Sequence, residues 1–157
     1  MLEKILVPLD GSKVGEAALP VIEKLLAQFS PEIKVEVTLI QVLPATHWIV
    51  AGDVGAPMRF TDEELEPMKQ AALNYLNKAG ENLRNRGVAV RSMVGVGNQA
   101  EEILKAADEI GAGLIAMSTH GRSGIRRWAF GSVTDKVLRG ARIPVLTVRA
   151  SEGASSV

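Results

Sequence analysis

The sequence predicts one α/β domain built on a parallel sheet with helices on both faces. Five short stretches rich in Val, Ile and Leu alternate with stretches whose apolar residues recur at helical spacing. Strands that are apolar throughout belong to sheets covered on both faces, and helical crossovers between them make the sheet parallel. The size agrees: 157 residues, 46% hydrophobic and 23% charged, suit a single globular core.

KILVPL, residues 4–9, is an apolar run closed by Asp10-Gly11-Ser12 and reads as a buried strand. Ser12 offers a helix N-cap, and Val14, Ala18, Val21, Ile22 and Leu25 follow on one face, with Pro20 inside the helix. KVEVTLIQVL, residues 34–43, is the second strand. Residues 44–60 read as a long loop containing Trp48, Gly52, Gly55 and Pro57, a length that is often functional or mobile. Thr61-Asp62-Glu63-Glu64 has capping-box form, and Leu65, Met68, Ala72, Leu76, Ala79 and Leu83 trace one helix face up to a stop at Gly87.

VAVRSMVGV, residues 88–96, is the third strand. Asn98 with Glu101 opens a helix whose apolar face is Ala100, Ile103, Leu104, Ala107 and Ile110. LIAMS, residues 114–118, is the fourth strand, residues 132–140 a short helix, and PVLTV, residues 144–148, the fifth strand. No internal repeat or second domain is visible, so residues 1–149 are taken as the domain. The small polar tail at 150–157 is expected to be disordered.

Formal net charge is zero, which argues against a nucleic-acid surface. The absence of cysteine excludes disulfides and thiol chemistry. No stretch approaches the roughly 18 apolar residues of a membrane span, so the expected location is the cytoplasm. There is no P-loop and no nucleophile elbow, and two histidines, His47 and His120, without carboxylates at ligand spacing make a zinc site improbable. GVGNQA, residues 95–100, has the form of the dinucleotide fingerprint. It follows the third strand rather than the first, and a tight turn with an Asn cap explains it.

The chemistry concentrates in STHGRSGIRRWAFGSVTDK, residues 118–136. Gly121, Gly124 and Gly131 let the backbone approach a ligand or adopt positive φ. Ser132, Val133 and Thr134 begin a helix whose free N–H groups and positive end suit a phosphate. Arg122, Arg126, Arg127, Lys136, Arg139 and Arg142 face only Asp135 in charge, so the local field favours an anion; solvated arginines around a capped helix are the bland alternative. Asp10 ends the first strand where open α/β sheets bind ligands, and it suits ribose hydroxyls or a phosphate-bound divalent cation; a turn or cap residue is the plainer reading. Trp48, Ile49 and Val50 either cover a bound base or pack on the domain or a partner.

KILVPLDGS, LIQVL, and MSTHGRSGIRRWAFGSVTDKVL followed by PVLTV resemble the universal stress protein family across roughly residues 3–149. Its ATP-binding members carry Gly, two residues, Gly, nine residues, then Gly with Ser or Thr. Gly121, nine residues and Gly131-Ser132 match, while Ser118 stands at the first glycine. The resemblance implies a Rossmann-like open sheet of five parallel strands in order 3-2-1-4-5, with the crevice between strands one and four. It implies that Pro8, Leu9 and Asp10 line an adenosine pocket, that Val42 contacts adenine through its backbone, and that Met117 and Ser118 lie under the ribose. His120 and Gly121 would begin the phosphate loop, and Gly131, Ser132, Val133 and Thr134 would hold the phosphates. ATP, ADP or AMP, with Mg²⁺ on the phosphates near Asp10, are the implied ligands. A homodimer through residues 144–148 is the implied assembly, with neither nucleic acid nor membrane as partner. The function expected is ATP-binding regulation of stress adaptation; slow ATP hydrolysis and a nucleotide-free dimeric interaction module are the alternatives.

Overall fold

The structure, a computed structural model, describes residues 3–119 and 131–150. The chain begins with β1 (Lys4–Pro8), then a 3₁₀ turn over Gly15–Ala17 and α1 (Ala18–Leu26). β2 (Glu36–Leu43) is followed by two strands of a hairpin, β3 (Thr46–Ala51) and β4 (Val54–Arg59). Next come α2 (Asp62–Ala79), α3 (Glu81–Asn85), β5 (Ala89–Val96) and α4 (Gln99–Ile110). β6 (Leu114–Thr119), α5 (Ser132–Gly140) and β7 (Val145–Arg149) complete it. Of the tail expected at 150–157, Ala150 is ordered instead, buried and donating its N–H to Thr119 O at 3.2 Å, and residues 151–157 lie outside the described residues.

The main sheet has five parallel strands in the order β5-β2-β1-β6-β7. With the hairpin set aside, this is the expected order 3-2-1-4-5. Alternation along each strand sends neighbouring side chains to opposite faces. Ile5, Val7, Leu9, Val37, Leu39 and Ala116 pack against α1, α2 and α3 on one face. Leu6, Ile40, Ile115 and Met117 meet Ala100, Ile103, Ala107 and Val137 of α4 and α5 on the other. Ile5, Leu6 and Val7 are completely buried, each worth roughly 1.5–3 kcal/mol. That is why the first strand reads as unbroken apolar sequence.

Three expectations need correction. The helix expected from Ser12 opens as the 3₁₀ turn and becomes α-helical only at Ala18; Ser12 Oγ makes the capping contact, accepting from Gly15 N at 3.0 Å, while donating to Asp10 Oδ1 at 2.6 Å. Pro20 then falls in the first turn of α1, where its missing N–H costs nothing. The expected loop at 44–60 is the β3–β4 hairpin, turned by Gly52 at φ +68°. The long helix towards Leu83 breaks at Gly80, which lies so close to the sheet that a Cβ there would sit 3.0 Å from Val90 Cγ1 and 3.2 Å from Leu39 Cδ1. The capping box at Thr61 and Glu64 is present with both reciprocal bonds, and Asn98 caps α4 by accepting from Glu101 N.

Among the described residues no helix is long and apolar enough to cross a membrane.

Candidate functional site

Sheet order creates the cleft. β1 pairs with β2 up to Pro8–Ile40, and Leu9 N–H still donates to Ile40 O at 2.8 Å. On its other side β1 pairs with β6 only at Ile5–Leu114 and Leu6–Ile115. Past that point β1 and β6 part, and their connections leave to opposite faces, the geometry that opens a crevice at a switch point.

A cleft of about 270 Å³ fills this opening. Pro8, Leu9 and Asp10 form one wall, Val42 another, Met117 and Ser118 a third, and Gly131, Ser132, Val133 and Thr134 close it at the start of α5. The structure thus gathers these sequence-predicted residues around one space. His120 and Gly121 lie outside the described residues, as do Gly124, Arg122, Arg126 and Arg127. Gly15, Ile40, Gln41, Gln99 and Ile103 also line the cleft and were missed by the sequence reading. Trp48, Ile49 and Val50 do not line it.

Hydrogen bonds hold the Asp10 wall. Asp10 Oδ1 accepts from Ser12 N at 2.9 Å and from Ser12 Oγ. Gly15 is packed onto this carboxylate: a Cβ there would overlap Asp10 Oδ1 and lie 3.1 Å from its Cγ. Ser118 continues the chain across the crevice. Its Oγ donates to Gly15 O at 2.7 Å and accepts from Ala18 N at 2.9 Å. The residue at the motif's first glycine position therefore clamps the end of β6 to the turn that carries Asp10.

Tyr75 of α2 reaches under the same turn. Burial, then the negative charges of Glu16 and Asp10, push its phenol above the ordinary value of 10.0. Its hydroxyl is buried beside the Glu16 carboxylate and the Gly11 backbone, and Oε1 of Gln41, on the cleft wall, is buried with no partner among the described residues.

At the opposite wall, α5 starts at Gly131 with no side chain capping it. Gly131 has φ −61°, which any residue adopts, and a Cβ placed there would meet nothing within 4 Å among the described residues. The positive-φ explanation for this glycine is thereby removed. What remains is an unobstructed approach to the backbone at a helix N-terminus. Of the basic residues expected here, Arg122, Arg126 and Arg127 lie outside the described residues. Arg139 is engaged by Asp135 at 2.9 Å, and Arg142 lines a separate small cavity with Asp108. Among the described residues no cluster of three or more His, Asp or Glu could hold a metal ion.

GVGNQA forms the turn between β5 and α4, with Gly97 at φ +142° and Asn98 as the cap.

Comparison with known proteins identifies relatives along almost the whole chain. The model of the universal stress protein family matches residues 1–149. The universal stress protein YxiE of Bacillus subtilis is 32% identical over 152 residues, covering 95% of this chain and all of that protein. The universal stress protein MJ0577 of Methanocaldococcus jannaschii is 30% identical over 159 residues, covering 95% and 96%. In its solved structure it aligns with a TM-score of 0.67 over 97% of this chain and 99% of that one. A universal stress protein solved in complex with cAMP shares the fold at 19% identity, with a TM-score of 0.64, covering 96% and 98%.

Proposed function

Because this chain belongs to the universal stress protein family, we propose that it is a nucleotide-binding regulatory protein of stress adaptation, holding an adenine nucleotide, ATP foremost, between β1 and β6. The observation that carries the reading is Gly131, a glycine with ordinary φ and, among the described residues, empty space where its side chain would be, at the start of α5. A phosphate accounts for it: the N–H groups of Ser132, Val133 and Thr134 have no partner within the helix, and the helix end is positive. That a fold neighbour is solved with cAMP supports an adenine nucleotide.

The cleft volume lies near the lower end of small-ligand sites, about 300 Å³, which suits the nucleoside part. Ile40, Val42, Ile103, Met117 and Val133 give it apolar walls for a base. Gln41 Oε1 supplies an acceptor for an exocyclic amine. Ser12 occupies Asp10 through Oδ1, leaving the other carboxylate oxygen for a ribose hydroxyl or for Mg²⁺ on the phosphates. Mg²⁺ commonly binds through substrate phosphates with one carboxylate, so the lack of a three-ligand cluster among the described residues is compatible with it. The outer edge of β7, Val145–Arg149, carries the expected homodimer contact.

Thermal melting with and without about 1 mM ATP and Mg²⁺ tests this. A micromolar site adds roughly 4 kcal/mol, about 10 °C for a domain of this size. Gly131→Val leaves the fold intact, since its backbone accepts a side chain, but loses the shift. The reading fails if ATP, ADP, AMP and cAMP all leave the melting temperature unchanged.

A further inference from the structure

The β3–β4 hairpin is not absorbed by the nucleotide reading. Its base is closed by Phe60 N–H donating to Ala45 O at 3.1 Å and by Phe60 against the His47 ring, 4.4 Å between centroids. Beyond that base, among the described residues, the extensive contacts of the two strands are with each other. Trp48 is 72% exposed and Val50 and Val54 73%, with Met58 and Ile49 also open. Trp48 and Val50 lie on one face, Ile49, Val54 and Met58 on the other, so neither face is polar. A two-stranded ribbon alone in water is at best marginally stable.

Its edges differ. β4 carries Pro57, which has no N–H to give and blunts that edge. β3 reads THWIVA, with no Pro, Gly or Lys to protect it, and it pairs with β4 alone among the described residues. We propose that β3 pairs with the β3 of a second copy of this chain, antiparallel about a two-fold axis through Ile49, to give a four-stranded ribbon.

Symmetry and charge select this occupant. A two-fold axis normal to the ribbon keeps each face on its own side and must pass through a residue opposite itself. Centred on Ile49, it sets Trp48 opposite Val50 of the second copy, twice, an aromatic–β-branched cross-strand pair. The hairpin holds one acid, Asp53 at the tip, and one strong base, Arg59 at the foot; neither has an ion-pair partner among the described residues. In this register the Asp53 of each copy comes to the same end of the ribbon as the Arg59 of the other. The two Asp53 residues stand eight positions apart along the strands, about 26 Å. Opposite charges approach and like charges separate, which a partner of another kind has no reason to match. This contact is separate from the β7 edge and independent of nucleotide.

The absence of cysteine makes the test direct. In the full chain, Ile49→Cys brings two Cα atoms to about 4.5–5.5 Å, within disulfide range, and oxidises to a covalent dimer. Asp53→Cys, about 26 Å apart in the pair, stays uncrosslinked. In sedimentation, Trp48→Lys and Val50→Lys lose a concentration-dependent step that the wild type shows. Both positions are so exposed that melting temperatures stay near wild type, and any β7 contact is common to all the variants. The proposal is overturned if Ile49→Cys fails to cross-link, if Asp53→Cys cross-links equally, or if the lysine variants sediment like the wild type. Flotation of the wild type with phosphatidylcholine vesicles at unchanged sedimentation also overturns it, making the hairpin a lipid contact.

Discussion

Replacing Ser118 by alanine removes one hydroxyl and two hydrogen bonds that span a hundred positions of sequence, those to Gly15 O and from Ala18 N. Both backbone groups belong to buried residues, and Ala18 has no exposed surface. An unmatched buried backbone group costs about 1–3 kcal/mol. The cleft lets water reach the Gly15 carbonyl side, so one full and one partial loss sum to about 2–3 kcal/mol. For a domain of this length that lowers the melting temperature by roughly 4–10 °C. Ser118→Gly, which restores the glycine of the ATP-binding motif, falls further, because glycine adds about 0.5–1 kcal/mol of backbone entropy. Circular dichroism melts read the stability, and native-state hydrogen exchange reads the Ala18 amide, which loses its acceptor. If Ser118→Ala melts within about 1 °C of wild type and the Ala18 amide exchanges as before, the clamp argument is wrong.

Gly15→Ala normally helps a helical turn by up to about 1 kcal/mol, but here its Cβ displaces the Asp10 carboxylate; calorimetric titration is expected to show weaker adenine-nucleotide binding together with a lower melting temperature. Tyr75→Phe removes the buried hydroxyl while keeping the ring in place. Wild-type Tyr75 ionises in the unfolded chain near its ordinary value of 10.0 and only at higher pH in the fold, so stability is intact below that value and declines above it. Denaturant titrations between about pH 9 and 11 should show a shallower alkaline decline in Tyr75→Phe. Thr61→Ala removes the cap of α2 and costs about 1 kcal/mol, a drop of about 2–4 °C on melting. Glu64 is held below its ordinary carboxylate value chiefly by the Thr61 N–H, so its contribution is present at neutral pH and lost on acidification, an acid-limb effect that Glu64→Gln should abolish.

The central strands β1, β2 and β6 are legible because they are buried on both faces, so their apolar runs carry little ambiguity, while the half-buried edge strands β5 and β7 are marked by their β-branched residues. The Gly52-Asp53 pair between two β-rich segments is itself a two-residue hairpin signal. It is obscured by Gly55 and Pro57, residues that ordinarily mark loops, and by the absence of any core face in a ribbon exposed on both sides. The break at Gly80 is invisible to periodicity, and the reason for a glycine there, the closeness of Val90 and Leu39 on the sheet, appears only once α2 is packed. The cleft divides in the same way. Pro8 to Asp10, Met117, Ser118 and Gly131 to Thr134 stand at strand ends or a helix start within recognisable motifs. Gly15, Gln41, Gln99 and Ile103 carry no local mark, and only the order of the sheet brings them to the same space. Gly15 illustrates the limit: it is a glycine for want of room beside a carboxylate, not for its φ.

The parting of β1 from β6 also bears on how the protein is made. β1 is synthesised first and occupies the centre of the sheet, yet one of its two neighbours lies more than a hundred residues downstream. Contacts of such separation form late, after the local helices and hairpin. A nascent chain that has displayed β1, β2 and β5 therefore still carries an open flank along Ile5 and Leu6. The crevice has no second wall until Leu114 and Ile115 dock, and Asp10 is not clamped until Ser118 arrives. On the proposed reading, ligand capture therefore waits until β6 has docked beside β1, and occupancy of the crevice becomes a report that the sheet has closed.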